Sequence, residues 1–150
     1  YLSNIYGRVV HVGLRSTRIM TEDSQMMIIP NSTISNNIIM NYSKPTEVLL
    51  IRENVGVAYC SDISLVKQSL HDAVTSAIGK SKDVSQAIET EVDFMEFGDS
   101  ALIFEVTFGA ASTRVRRDAA DAVNCEIDRI FRERGIEIPY PQRVVRIVKE

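Results

Sequence analysis

The sequence predicts a mixed fold in two parts, a small all-β barrel over residues 1–45 and an α+β domain over residues 46–150. Three observations lead to this prediction. Short β-rich runs separated by turn residues dominate the first part. Two long stretches with apolar residues at spacings of three and four occur in the second part. The tract Ser-Lys-Pro-Thr, residues 43–46, separates the two patterns.

Composition and charge are those of a globular protein. Of the 150 residues, 45% are hydrophobic and 25% are charged, which are ordinary fractions for a folded domain. No apolar run approaches the roughly 20 residues that a membrane-spanning helix needs, and the chain starts without a signal peptide or an initiator Met. We therefore expect a water-soluble fragment of a longer protein. The net charge of −3 does not favour nucleic acid as the main partner.

Three strands are predicted in the first 30 residues. The valines after Gly7 form one strand, and Leu14–Met20, which mixes Thr and Ile with Arg, forms a second, half-exposed strand. Thr21–Ser24 is a turn tract, because Asp and Ser side chains can bond to their own backbone. Met26–Ile29 is expected to be a buried strand, and Pro30 ends it because proline has no N–H for the ladder.

A single helical turn and a fourth strand complete this part. Asn31, Ser32 and Thr33 are good helix-initiating residues, so a turn follows Pro30. Ile38–Tyr42 is then predicted to resume a strand. A barrel of this size has a thin core, and open strand edges would need partners, which points to oligomerisation.

The second part begins with a strand and a helix. Val48–Tyr59 is β-rich, and Ser61-Asp62 offers an N-cap. Apolar residues recur with helical spacing from Ile63 to Ile78, and Gly79 is expected to end this helix.

A hairpin and a second helix follow. Val92–Glu96 and the alternating Ile103–Phe108 are strands joined by a Gly98-Asp99 turn. The second helix starts near Ser112 or Thr113 and ends at Gly135. Its buried face is predicted to contain Val115, Ala119, Ala122, Val123, Ile127, Ile130 and Phe131. An extended proline-containing link and a last strand, Val144–Val148, give the order β-α-β-β-α-β, which is the ferredoxin-like arrangement.

No catalytic or metal-binding motif is present in the sequence. His11 and His71 stand apart, and no Cys or His cluster has the spacing of zinc ligands. Glu89, Glu91 and Asp93 place three carboxylates on one face of a strand, where they could bind a hard cation, although a solvated edge is the commoner explanation. We therefore predict a protein that is not an enzyme and that holds no metal or cofactor.

Two further groups of residues have an ordinary and a functional interpretation. Arg114, Arg116 and Arg117 start the second helix, where positive charge opposes the helix dipole; they form either an anion-binding group or a plain surface cluster. Cys60 and Cys125 are far apart in the sequence and are expected to be reduced, half-buried thiols.

A series of short motifs extends along nearly the whole chain, each occurring once. In the first part they are Leu14–Thr17, Thr21–Asp23, Ile28–Ser32 and Asn41–Ser43. In the second part they are VGVAYCSDI and GIEIPYPQ, residues 55–63 and 135–142. This set resembles the small-conductance mechanosensitive (MscS-like) channel family. Ser24 stands where that family usually has Gly; if the turn needs φ > 0, Ser costs about 1 kcal/mol there.

The resemblance implies an Sm-like β-domain followed by the ferredoxin-like domain, with membrane helices before Tyr1. It implies a homo-oligomer, a heptamer, that encloses a cytoplasmic vestibule below a pore in the inner membrane. Ions and small osmolytes would cross this vestibule during osmotic downshock. Membrane tension would open the pore by favouring the state of larger in-plane area, and the tension-sensing segments would precede this chain.

We predict that eleven residues support assembly or shape the vestibule. Those expected in the β-domain ring, near neighbouring subunits, are Arg15, Thr17, Pro30, Asn31, Ser32, Ile34 and Asn41. Those expected to direct the chain from the second helix to the last strand are Pro139, Tyr140, Pro141 and Gln142.

Two other functions remain open at the level of sequence. A soluble regulatory module that binds a small ligand would suit a ferredoxin-like domain, since fold does not fix function. RNA binding is known for both kinds of fold, but Phe94, Phe104 and Phe108 are expected in the core and the second part is acidic, so we expect no nucleic-acid partner.

Overall fold

The computed structural model describes residues 7–21, 23–41 and 46–143 of the chain. Within these ranges, α-helices combine with antiparallel sheets, as the sequence predicts. The last predicted strand, Val144–Val148, lies outside the described residues.

The first compact unit, Tyr1–Asn41, contains a three-stranded antiparallel sheet. Its strands are β1 (Gly7–Val12), β2 (Ser16–Thr21) and β3 (Met26–Pro30), with β2 in the centre. Helix α1 (Asn31–Ser35) follows β3 directly. The first three predicted strands and the helical turn are thus confirmed, and the described strands form an open sheet.

The turn between β2 and β3 contains the backbone strain that the sequence raised as a possibility. Ser24 has φ 60°, in the left-handed region that Gly occupies without penalty. The turn is closed by Thr21, whose carbonyl accepts from the Ser24 N–H at 3.1 Å and whose Oγ1 accepts from the Gln25 N–H at 3.1 Å. These hydrogen bonds keep Ser24 in the left-handed conformation, although serine disfavours it.

Two expectations about this unit are wrong. Strand β3 is buried on one face only, because Ile29 is 6% exposed whereas Met26 and Ile28 are 54% and 61% exposed. Residues 38–41 form no strand, and Tyr42 lies outside the described residues. A strand needs a neighbouring ladder, and no described strand pairs with this segment.

The second compact unit, Tyr42–Glu150, combines an antiparallel sheet with two long helices. The central strand, Leu102–Ala110, pairs along one edge with the strand Leu49–Val57. Along its opposite edge it pairs with two further strands, Val84–Ser85 and Glu91–Phe97. The elements in chain order are β4 (Leu49–Val57), α2 (Ile63–Lys80), β5 (Val84–Ser85), β6 (Glu91–Phe97), β7 (Leu102–Ala110) and α3 (Arg116–Arg134).

The core of this unit lies between the helices and one face of the sheet. Phe104, Val106 and Phe108 of β7 are fully buried, as their alternation predicts. Helix α2 contributes Val66, Leu70 and Val74, and α3 contributes Ala119, Val123, Ile127, Ile130 and Phe131. The opposite face of the sheet is polar, with Arg52 of β4 placed across from Thr107 of β7.

The helix ends follow the sequence signals in three cases of four. Asp62 caps α2, since its carboxylate accepts from the Ser64 and Leu65 N–H groups, and Gly135 ends α3 with φ 66°. A short 3₁₀ turn, Thr113–Val115, precedes α3 close to the expected start. Gly79 does not end α2, because the helix continues to Lys80; a glycine inside a helix costs only about 1 kcal/mol.

Candidate functional site

Asn31 is the centre of a hydrogen-bond network that joins three parts of the first unit. Its Oδ1 accepts from the Thr17 hydroxyl at 2.9 Å. Its Nδ2 donates to the carbonyls of Gly13 and Leu14 at 3.0 and 3.2 Å, and its backbone N–H donates to the Arg15 carbonyl at 2.9 Å. The loop between β1 and β2 is therefore fixed by one side chain that follows β3.

The network brings together three of the residues predicted from the sequence. Thr17 is buried, at 6% exposure, so its hydroxyl needs the partner that Asn31 provides. Arg15 takes part through its backbone, and its own side chain is exposed. The Asn31 side chain thus provides partners both for a buried hydroxyl and for two backbone carbonyls of the β1–β2 loop.

The other predicted residues of the first unit lie apart from this network. Pro30 ends β3 opposite Ser16 and is exposed. Ser32 and Asn41 are also exposed, whereas Ile34 is half-buried on α1.

Apolar side chains cover much of the first unit's surface. Nine large ones are at least 43% exposed, and Leu14, in the loop fixed by Asn31, is 97% exposed. The others are Val9, Val10, Val12, Met26, Ile28, Ile38, Ile39 and Met40. A water-exposed apolar surface of this density marks an interaction site rather than an ordinary protein surface.

The proline-containing link of the second unit borders a surface groove of about 420 Å³. Pro139, Pro141 and Gln142 form one wall, and the loop between β6 and β7 forms the other. The Gln142 N–H donates to Ser100 Oγ at 3.1 Å, which holds the link to that loop. Tyr140 is 85% exposed. All four predicted residues of this link thus lie at or beside one groove.

A cluster of charged and polar side chains joins α2 and α3. Glu126 accepts from Lys80 Nζ at 2.6 Å, from Ser76 Oγ at 2.8 Å and from Arg129 Nε and Nη2 at 3.0 and 2.8 Å. These bonds, that from Lys80 first, lower the pKa of Glu126 to about 2. The cluster fastens one helix to the other.

The described residues contain no group of three or more potential metal ligands. Glu91 and Asp93 are exposed on β6, and Glu89 precedes that strand. Cys60 and Cys125 are both exposed, so the expectation of half-buried thiols is wrong. Cys60 lies in the loop between β4 and α2, and Cys125 lies on α3 but not among the residues that this helix buries.

None of the helices within residues 7–21, 23–41 and 46–143 has both the length and the hydrophobicity needed to traverse a bilayer.

Sequence reasoning missed several partners that the fold supplies. The Gly13 and Leu14 carbonyls and the Ser100 hydroxyl carry no sequence signal for their bonds. An exposed aromatic pair was missed as well: Tyr59 stacks on Phe97 with ring centroids 6.4 Å apart, and the Tyr59 hydroxyl donates to the Gly98 carbonyl.

Two family models match the chain, one in each unit. Residues 2–44 match the model described as the mechanosensitive ion channel β-domain. Residues 51–138 match the model described as the C-terminal part of the mechanosensitive ion channel MscS.

Curated relatives extend the match over nearly the full chain. An MscS family protein of Synechocystis sp. is 30% identical over 99% of this chain and 48% of that protein. A small-conductance mechanosensitive channel of Helicobacter pylori is 25% identical over 93% of this chain and 49% of that protein. This chain therefore spans less than half the length of each of these two relatives.

A solved structure agrees with both comparisons. The crystal structure of Helicobacter pylori MscS in the closed state superimposes with a TM-score of 0.76 at 25% identity, over 99% of this chain and 56% of that one. The family models, the relatives and this structure agree along both units. The chain belongs to the MscS family of mechanosensitive ion channels.

Proposed function

We propose that this chain is the cytoplasmic vestibule portion of a tension-gated channel, attached to the inner membrane by segments that precede it. Copies of the chain would assemble, as a heptamer, around a water-filled space that ions and small osmolytes cross during osmotic downshock. The vestibule performs no chemical reaction in this proposal and uses no cofactor. The family match and the exposed apolar surface of the first unit support it.

The exposed apolar surface is the observation that carries the assembly. In the described part of the first unit, Ile29 is the only large apolar side chain that is buried, against nine that are exposed. Burying apolar surface is worth about 25 cal/mol per Å², so neighbouring copies would gain considerably by covering it. We propose that residues 1–45 form an Sm-like ring domain through such contacts and that residues 46–150 form a ferredoxin-like domain.

The eleven residues predicted from the sequence have two roles in this proposal. Asn31 and Thr17 fix the loop that presents Leu14 and Arg15 to a neighbouring copy. Pro30, Ser32, Ile34 and Asn41 lie on the same unit and contribute to the ring. Pro139 to Gln142 would shape the lower wall of the vestibule, where the link borders the groove.

The test is the mass of the full-length protein in detergent micelles, measured by light scattering. A ring of about seven chains, with tension-activated currents from reconstituted vesicles, is the expected result. A full-length protein that stays monomeric would overturn the proposal. The alternative, a soluble module that binds a small ligand in the groove, would gain support if the preceding sequence encoded a soluble domain instead of apolar segments of about 20 residues.

A further inference from the structure

Charge is distributed very unevenly over the second unit. The β6–β7 hairpin with the residues before it, 89–110, carries six carboxylates and no Lys or Arg. The next seven residues, 111–117, carry three arginines and no acid. The two regions are adjacent in sequence, yet their side chains do not neutralise each other: none of the three arginines makes an ion pair within the described residues.

The carboxylates crowd one face of the sheet. Asp93 of β6 is the direct partner of Glu105 of β7, and like charges placed opposite each other destabilise a strand pair. Both face away from the helices, since their neighbours Phe94 and Phe104 pack toward the core. Arg52 offsets this only in part, because its Nε lies 3.6 Å from Glu105 and its side chain is 61% exposed.

The arginines are placed unfavourably as well. Arg114 lies in the 3₁₀ turn before α3, and Arg116 and Arg117 occupy its first turn. All three are exposed. The positive end of the helix dipole disfavours cations there, and a single acid in the first turn, Asp118, offsets this only in part. The unit thus holds two clusters of like charges: carboxylates on one face of the sheet and arginines at the start of α3.

We propose that the start of α3 in one copy docks against the acidic sheet face, formed by Glu91, Asp93 and Glu105, of the next copy. This rests on the proposed oligomeric vestibule and names a contact within it. The contact is heterologous, because it joins two different surfaces, and heterologous contacts close into rings when the rotation allows. Each copy then relieves the repulsion within its neighbour, and assembly becomes sensitive to salt.

The test uses charge reversal in the full-length protein, with the oligomer measured by light scattering between about 50 and about 500 mM salt. Arg116→Glu/Arg117→Glu and Glu91→Lys/Asp93→Lys should each weaken assembly roughly tenfold or more, because each places like charges together. Combining the four changes restores opposite charges and should recover most of the loss. Circular dichroism of each variant confirms that it is folded. Arg116→Gln/Arg117→Gln replaces the arginine charge-reversal variant if that variant does not fold.

A matched control separates complementarity from net charge. Lys67→Glu/Arg132→Glu changes the net charge by the same amount on α2 and α3, away from the start of α3. Combined with Glu91→Lys/Asp93→Lys, it should not restore assembly. Equal rescue by this control, or assembly of both double variants at the parent level, overturns the contact.

Two further outcomes also decide the matter. If the arginine variant assembles normally but loses binding to anionic phospholipid vesicles, the partner is a membrane and the proposal is wrong. If the variants lose assembly as expected while the parent forms rings, the result supports both the oligomeric vestibule and the contact between α3 and the acidic sheet face. A parent protein that never assembles would instead overturn the vestibule itself, which keeps the two failures distinguishable.

Discussion

At the scale of single residues, Asn31 connects the β1–β2 loop, strand β2 and the end of β3 through four hydrogen bonds. A network in which one side chain satisfies a buried hydroxyl and two carbonyls is costly to break, because each partner loses its bond at once. The sequence identified Asn31 as a member of a motif. The identity of its partners required the fold, since Gly13 and Leu14 lie on a different loop.

We expect Asn31→Ala to destabilise the first unit by about 1–3 kcal/mol, since it leaves the Thr17 hydroxyl and two carbonyls without this partner. Hydrogen exchange of the β2–β3 ladder amides measures this locally. The control is Asn36→Ala, an exposed residue just after α1, which should change stability by less than about 0.5 kcal/mol. Equal protection in both variants would show that the network contributes nothing.

Ser24 is the other residue with a clear energetic consequence. Because its φ is 60°, we expect Ser24→Gly to stabilise the β2–β3 hairpin by about 1 kcal/mol. Hydrogen exchange of the β2–β3 ladder amides measures this change. Ser64→Gly, in the first turn of α2, should instead destabilise by about 0.5 kcal/mol. A loss of protection in the Ser24 variant would contradict the assigned strain.

At the scale of elements, two glycines that the sequence treats alike have opposite roles. Gly79 lies inside α2, and a Cβ there would have no neighbour within 4 Å. Gly135 ends α3 with φ 66°, and the following Ile136 N–H donates to the Phe131 carbonyl at 2.9 Å. The local sequence signal for a helix end was the same at both positions, and only Gly135 adopts the left-handed conformation that requires Gly.

This difference predicts substitutions of opposite sign. Gly79→Ala should stabilise the second unit by about 0.5 kcal/mol, because Ala is the better helix former, whereas Gly135→Ala should destabilise it by about 1 kcal/mol. Urea unfolding of the two variants, monitored by circular dichroism, serves as a mutual control. Destabilisation by both would mean that α2 ends at Gly79 in solution.

The contact between α2 and α3 gives a pH dependence. The pKa of Glu126 is lowered from 4.5 to about 2, first by its bond with Lys80. A lowered folded-state pKa contributes stability that is present above the unfolded value and is lost as pH falls through the folded one. The Glu126 cluster therefore stabilises the protein at pH 7 and weakens between about pH 4.5 and 2.

We expect Glu126→Gln to be less stable than the parent at pH 7 and to approach the parent as pH falls toward 2 and below, because the folded parent then progressively loses the charge. Urea unfolding across this pH range measures the difference. Glu133→Gln is the control: among the described residues Glu133 bonds only with Arg129, and its side chain is 59% exposed, so its effect should be smaller. A difference between parent and Glu126→Gln that does not change with pH would contradict the assignment.

At the scale of the whole molecule, the described part of the first unit leaves nine large apolar side chains exposed to water. Ile34, half-buried on the five-residue α1, belongs to the predicted assembly surface. We expect Ile34→Asp in the full-length protein to reduce the assembled fraction, because a carboxylate is costly to bury in an apolar contact. Light scattering measures this, with Asn36→Asp, exposed just after the same turn, as the charge-matched control. Normal rings from the Ile34 variant would exclude α1 from the interface.

The sequence by itself determined the strands β1 to β3, the helical periodicity of α2 and α3, and the inward face of β7. These are properties of neighbouring residues, which a period of 2 or 3.6 reveals. It also carried the motifs that identify the family, including the Pro30-Asn31 step and the link that ends at Gln142.

The tertiary structure alone decided features that depend on distant partners. The short strand β5 forms because β7 offers it an edge, and residues 38–41 form no strand because no described strand pairs with them. Met26 and Ile28 are exposed because no described element of the first unit packs against their face of the sheet. Periodicity reports which side chains share a face, but burial depends on what lies against that face, and that is fixed only when remote segments come together.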